Sequence, residues 1–306
     1  LRKLARAVFI GPSAFDTLRP GATGSVHSVF ERTFNISVGG KLVGVARADV
    51  AKTPINLITD IAPDTPMSSL VRKNAKISIT NDALQVGGEL TILLEGVKLW
   101  RPRKKVANVL ETKFIEDNLR VARESASSCQ EGLGQLLPHI DGIVSGKAPS
   151  DPELNPIAKS VLPNLTSLVD AVKSGDLDRL EQTSGNLLGL GPGLSPSADD
   201  MLVGFMAGLR WTINSLGKNI DRVDAINQAI MQGIEKTTLL SQQLLIHAAR
   251  GEVNEMVQSL LEAILAGGPG DVRSVIEKVL KMGETSGVDT TVGILLGIRL
   301  GLSAFD

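Results

Sequence analysis

Hydrophobic and polar positions follow two different rhythms along this chain. Through roughly the first 110 residues, apolar side chains come in short runs, often every second position, which is the period of a half-buried strand. Ser25–Val38 alternates loosely. Gly39-Gly40 then offers a tight hairpin turn into Lys41–Ala46. Ile55–Thr59, Ile77–Thr80 and Leu90–Leu94 are further short apolar runs, the last of them preceded by Gly87-Gly88. Several short strands separated by Gly and Asp turns predict a small barrel or curled sheet.

Beyond Pro102 the spacing changes to three and four, the period of an amphipathic helix. It predicts helices over Ile115–Cys129, Ile157–Lys173, Leu177–Leu188, Met201–Ser215, Val223–Arg250, Val253–Leu265, Val272–Met282 and Thr290–Leu302. Pro138–Pro156 reads as a proline-rich connection. Gly217, Gly251 and the Gly267-Gly268-Pro269-Gly270 run are good helix stops. The expected fold class is α+β: a β-rich domain over 1–110, barrel-like or a curled sheet, then an all-helical domain over 111–306. No stretch between them is low-complexity enough to be a long linker.

Composition narrows the function classes. Apolar residues are 42% of the 306-residue chain and charged residues 21%, the balance of a soluble globular protein. A formal charge of −1 gives no general attraction to nucleic acid or acidic membranes. Aromatics are only 3% and tyrosine is absent, which argues against a base-stacking platform. Leu239–Ala249 is apolar but well short of the roughly 20 residues that span a bilayer. Leu1–Ile10 lacks the long apolar centre of a secretory leader. Cys129 is the single cysteine, so an internal disulfide is excluded and a cytoplasmic location is the simplest expectation. His27, His139 and His247 are scattered and show no zinc-ligand spacing, so no metal ligands are assigned.

The densest chemistry lies in Gly189-Leu-Gly-Pro-Gly-Leu-Ser-Pro-Ser-Ala-Asp-Asp200, which runs into the apolar stretch Met201–Leu209. A helix start presents N–H groups without intrahelical partners and carries partial positive charge, so it favours an anion. Gly191 and Gly193 would let a ligand approach the backbone, and Ser195 and Ser197 would add hydroxyl donors. Ser197 or Asp199 could equally be a simple N-cap. The loop is neither a Walker A sequence nor a dinucleotide fingerprint, because it lacks Gly-Lys-Ser/Thr and no strand precedes it.

Gly283-Glu-Thr-Ser-Gly-Val-Asp289 repeats the theme before Thr290–Gly297. Ser286, Gly287 and Asp289 are therefore candidates for a second wall of the same site, with helix capping by Ser286 or Asp289 as the plain alternative. Gly204 and Gly208, like Gly293 and Gly297, have the spacing that lets two helices pack closely. A third cluster is Glu235–Ser241, where Thr237 and Ser241 share one helical face. They could reach a ligand oxygen or bond back to their own helix. The basic run Lys98–Lys105 is expected to be a solvated junction, with partner docking as the alternative.

Taken together, these blocks resemble a bacterial family of uncharacterised domains that includes the AllH-type subunit of oxamate carbamoyltransferase. The family pattern is similar to Gly-x-Gly-x-Gly-Leu-Thr-Pro-Ser-Gly-Asp-Asp. Gly189, Gly191, Gly193, Leu194, Pro196, Ser197, Asp199 and Asp200 match it, while Ser195 replaces threonine and Ala198 replaces glycine. Thr237–Ser241 with Ala248–Gly251 resembles a second block. Gly283–Asp289 resembles a third, with Glu284 where histidine is common.

The resemblance implies carbamoyl transfer between oxalurate or oxamate and phosphate or carbamoyl phosphate, in ureide (allantoin) catabolism. It also implies a complex of three different proteins, so other subunits are the expected partners. On that reading Asp199 and Asp200 are the catalytic candidates, one of them moving a proton or holding Mg²⁺. Gly191, Gly193, Ser195, Ser197, Thr237, Ser241, Ser286, Gly287 and Asp289 would bind the small anionic substrate. The rival expectation is a non-catalytic scaffold or metabolite sensor using the same loops.

Overall fold

The computed structural model describes residues 3–147 and 153–304. The chain divides into two compact units, Leu1–Pro102 and Arg103–Asp306.

The first unit is a closed barrel of eight strands: β1 (Lys3–Ile10), β2 (Thr23–Val29), β3 (Thr33–Val38), β4 (Lys41–Ala46), β5 (Asn56–Thr59), β6 (Lys76–Ile79), β7 (Ala83–Val86) and β8 (Leu90–Leu93). A two-residue strand, β9 (Lys98–Leu99), and a short helix, α1 (Pro12–Thr17), complete it. β1 closes the barrel. Its first half pairs in parallel with β8, from Lys3↔Leu90 to Arg6↔Leu93. Its second half pairs antiparallel with β5, around Ala7↔Thr59, past a bulge between Ala7 and Phe9. Closure leaves no long exposed edge. Phe34, Ile36, Val45, Leu57, Leu84 and Ile92 fill the interior.

The pattern finds most of these strands and misses two. Ser25–Val38 is two antiparallel strands, β2 and β3, rather than one. β1 is interrupted in sequence by Lys3, Arg6 and Val8, all of which point outward, and its inward residues Ala5 and Ala7 are too small to register as an apolar run. β7 escapes because four residues give too short a window.

The second unit is helical: α2 (Thr112–Ser125), α3 (Ile140–Val144), α4 (Pro156–Ser174), α5 (Leu177–Leu187), α6 (Ser197–Ser215), α7 (Asp221–Met231), α8 (Leu239–Ala248), α9 (Glu255–Ala266), α10 (Pro269–Val279) and α11 (Ser286–Ser303). α6 and α11 are the central pair. Every residue of α11 from Gly287 to Ile298 is buried, so this helix has no solvent face along that stretch. The two helices run parallel at backbone contact. A Cβ on Gly204 would lie 2.1 Å from the Thr290 carbonyl oxygen, and one on Gly208 would lie 2.7 Å from that of Ile294. From the other side, a Cβ on Gly297 would lie 2.3 Å from the Phe205 carbonyl oxygen. Glycine is required there because any side chain would push the helices apart.

Three corrections follow. The predicted helix Val223–Arg250 is two helices, α7 and α8. It breaks at Gly233, and Thr238 caps α8 by accepting from Ser241 N–H at 3.2 Å. The Pro138–Pro156 connection contains α3 and supplies the first residue of α4, although 148–152 lie outside the described residues. α6 and α11 both begin four residues earlier than apolar periodicity indicates, because their first turns are polar yet buried.

No helix among the described residues is long and apolar enough to cross a membrane.

Candidate functional site

Parallel packing puts the N-terminal ends of α6 and α11 on one side of the helical unit. There Ser195 Oγ lies 3.4 Å from Ser286 Oγ. Ser195 Oγ–H also donates to Asp200 Oδ2. The 189–200 and 283–289 turns, ninety residues apart in sequence, thus meet hydroxyl to hydroxyl.

Neither turn is explained by capping. The residue before α6 is Pro196 and the residue before α11 is Thr285, and neither makes a side-chain cap bond. Ser197, Asp199 and Asp200 fall inside the first helical turn and are all buried. Ala198 is helical as well, so replacing glycine there carries no backbone strain.

The loop backbone is folded tightly against α6. Gly191 has φ +126°, and a Cβ on it would lie 2.6 Å from Ser197 N. Ala198 N–H donates to Leu190 O at 3.1 Å, and Asp199 N–H to Pro196 O at 2.9 Å. These donors of the helix start are therefore already engaged by the protein. The N–H groups of Gly193, Leu194 and Ser195 donate to no acceptor among the described residues.

Asp199 works as a clamp. Its Oδ1 accepts from Gly189 N–H at 2.8 Å, and its Oδ2 accepts from Thr237 Oγ–H. Thr237 precedes α8 and is buried, so its proton is directed to this carboxylate. The neighbouring Thr238 Oγ–H donates to Leu194 O at 2.5 Å and ties the same loop to α8. Ser241, in the first turn of α8, is buried, and its hydroxyl lies beside Asp199 and favours the charged form of that carboxylate.

Asp289 is met by a segment that sequence reasoning did not single out. Leu133 N–H donates to Asp289 Oδ1 at 2.6 Å, and a Cβ on the adjacent Gly132 would lie 2.3 Å from that oxygen. Asp289 Oδ2 is buried, and the hydroxyls of Thr285 and Ser197 lie beside the carboxylate and favour its charged form. The only sequence hint was the Gly132-Leu133-Gly134 spacing. Gly287 packs against α10, with its N–H donating to Met282 O at 3.0 Å, and so serves close approach.

Three carboxylates thus converge, and burial pushes all of them upward. For Asp200 burial is the dominant cause and carries it to about 7. Hydrogen bonds from Ser195 and Ser286 pull it back, while the charges of Asp289 and Asp199 push it further. Burial raises Asp199 against the bonds from Thr237 and Gly189, and raises Asp289 against the Leu133 N–H. No basic side chain offsets them among the described residues. The side-chain chemistry therefore suits a proton or an N–H donor better than a bare anion, and the loop N–H groups are the donors an anion could use. Among the described residues no three His, Cys, Asp or Glu side chains are placed to hold a metal ion.

Elsewhere, Arg103 pairs with Glu262 and Lys104 with Glu252, both at 2.7 Å, so part of the basic run is used inside the helical unit.

No solved structure matches the chain. Two family models do. The AllH family N-terminal domain matches residues 6–99, the barrel, and oxamate carbamoyltransferase subunit AllH matches residues 187–298, which hold every residue of the α6–α11 site named above except Gly132 and Leu133. Matched over most of its length, the chain belongs to the AllH family.

Proposed function

We propose that this chain is a subunit of an oxamate carbamoyltransferase and carries part of its reaction centre at the α6–α11 entry. The reaction would move a carbamoyl group between oxamate and phosphate, in the cytoplasmic breakdown of ureides such as allantoin. The observation that carries the reading is the Ser195–Asp200 pair, in which a half-buried hydroxyl donates to a carboxylate held near neutrality. A group with a pKa close to ambient pH can both take and return a proton, as carbamoyl transfer requires.

The other residues fit around that pair. Carboxylates recognise the N–H₂ of a carbamoyl group as acceptors. The free N–H groups of Gly193, Leu194 and Ser195 would receive the substrate's oxygens and stabilise developing charge. Asp199 with Thr237 holds the loop, Gly191 seats it against Ser197, and Ser241 and Gly287 would complete the substrate-binding set. A divalent cation such as Mg²⁺ would have to be shared with substrate oxygens, since the protein offers too few placed carboxylates.

The test is turnover of carbamoyl phosphate with oxamate by the assembled complex, with and without this chain. Loss of transfer on omission, and again on Asp200→Asn, is expected. Full transfer without the chain would leave it a scaffold or sensor.

A further inference from the structure

We propose that Ser195 accepts the carbamoyl group covalently, so that transfer passes through an O-carbamoyl serine on this chain. The inference rests on the carbamoyl-transfer reading above and adds a chemical step to it.

The geometry singles out this hydroxyl. Thr237 is buried and its proton is directed to Asp199. Ser197 and Ser241 are 3% and 1% exposed, out of reach of a substrate. Ser195 and Ser286 are only half-buried and both bear on Asp200, and the Ser195 Oγ–H is the donor seated on Asp200 Oδ2. Ser286 Oγ lies 3.4 Å from Ser195 Oγ, so a second hydroxyl stands beside the oxygen that would gain negative charge. The unengaged N–H groups of Gly193, Leu194 and Ser195 lie on the same turn as the attacking atom, where a tetrahedral oxyanion would need donors. A nucleophile, an adjacent base and unpaired backbone donors on one tight loop are the parts of covalent acyl transfer.

Starting from carbamoyl phosphate, Ser195 Oγ bonds to the carbamoyl carbon and its proton passes to Asp200. The bond from that carbon to the phosphate oxygen breaks, and phosphate leaves with the proton. In the second half the amide nitrogen of oxamate attacks the same carbon and gives up a proton through Asp200. The carbon–Oγ bond breaks, Ser195 regains the proton, and oxalurate departs. Every atom and proton is accounted for without a further reactant.

The experiment uses the assembled transferase with labelled carbamoyl phosphate and no oxamate. One carbamoyl group should appear on the peptide containing Ser195 after acid quench, and adding oxamate should discharge it. Labelled phosphate should exchange into carbamoyl phosphate before oxamate is supplied. Ser195→Ala should abolish both label and exchange and lower kcat by at least about a thousandfold. A wild-type enzyme that turns over without exchange or label overturns the proposal. So does a label on the 283–289 peptide, or a Ser195→Ala complex within tenfold of wild type. A wild-type complex that transfers no carbamoyl group at all overturns the underlying reading, and the covalent step with it.

Discussion

A Cβ placed on Gly293 would stand 1.9 Å from the carbonyl oxygen of Met201. That approach locks α11 against α6 and thereby sets where their first turns, and so Ser195 and Ser286, fall. No flexible side chain is there to yield, because the opposing atoms are backbone. Overpacking a core ordinarily costs about 1–3 kcal/mol, and this case should reach or exceed the upper end. Gly293→Ala is expected to unfold at markedly lower denaturant concentration. Gly193→Ala is the control. It meets nothing within 4 Å but has φ +90°, so a loss of only about 1 kcal/mol from backbone strain is expected. Equal stability of Gly293→Ala and wild type would mean the helices are not in backbone contact.

Asp200 makes stability depend on pH in an unusual direction. Its folded pKa, about 7, lies above the ordinary carboxylate value of 3.8. Between those values the folded state binds the extra proton. Stability is therefore full below about pH 4 as far as this group is concerned, and falls as pH rises through 7. The loss is on the order of a few kcal/mol. Asp199 and Asp289, shifted the same way by burial, add to the slope. Asp200→Asn should flatten the decline and be the more stable protein at pH 8. Unfolding curves at pH 5 and pH 8 decide it; identical pH dependence in mutant and wild type would falsify the assignment.

The sequence made much of this arrangement legible. Glycine spacing at 204, 208, 293 and 297 reported close helix packing directly, since only the absence of a side chain permits it. The hydroxyls and aspartates of both turns were visible as clusters. Other parts were hidden for physical reasons. Ser197–Asp200 and Ser286–Asp289 look like loop because their polar side chains break the apolar period, yet tertiary contacts bury them inside the first helical turns. The break between α7 and α8 was masked by the surrounding apolar residues, although Gly233 and the Thr238 cap mark it. Leu133 serves Asp289 through its backbone N–H, a role any residue but proline can fill, so no residue type could announce it.

Thr237 holds Asp199 through its hydroxyl alone. Thr237→Val keeps the shape and removes the donor, leaving a buried carboxylate short of one bond. A charge-assisted bond of this kind is worth about 1.5–3 kcal/mol, so a loss in that range is expected, with Thr237→Ser retaining most of the stability. Because the bond favours the charged form, the valine variant should also push Asp199 further up. Carboxyl-selective NMR or infrared titration would show the shift, and an unmoved titration would remove Thr237 from the clamp.

Glu252 supplies the opposite pH signature in the same unit. The hydrogen bond from His247, at 2.7 Å to Nδ1, holds it down to about 2 against the cost of burial, with Lys104 at 2.7 Å contributing as well. A depressed carboxylate contributes stability above its ordinary value of 4.5 and loses it as pH falls toward 2. Glu252→Gln should therefore be destabilised at neutral pH by up to about 3 kcal/mol and by progressively less in acid. The Glu252→Gln and wild-type curves converge as pH falls from 4.5 to about 2, whereas the Asp200→Asn and wild-type curves separate as pH rises from 3.8 to about 7 and stay apart above it. Measuring both mutants across one pH series separates the two sites, because a general electrostatic effect would move them in the same direction. A constant gap between Glu252→Gln and wild type from pH 7 to pH 2 would show that the side chain acts by packing and not by its charge.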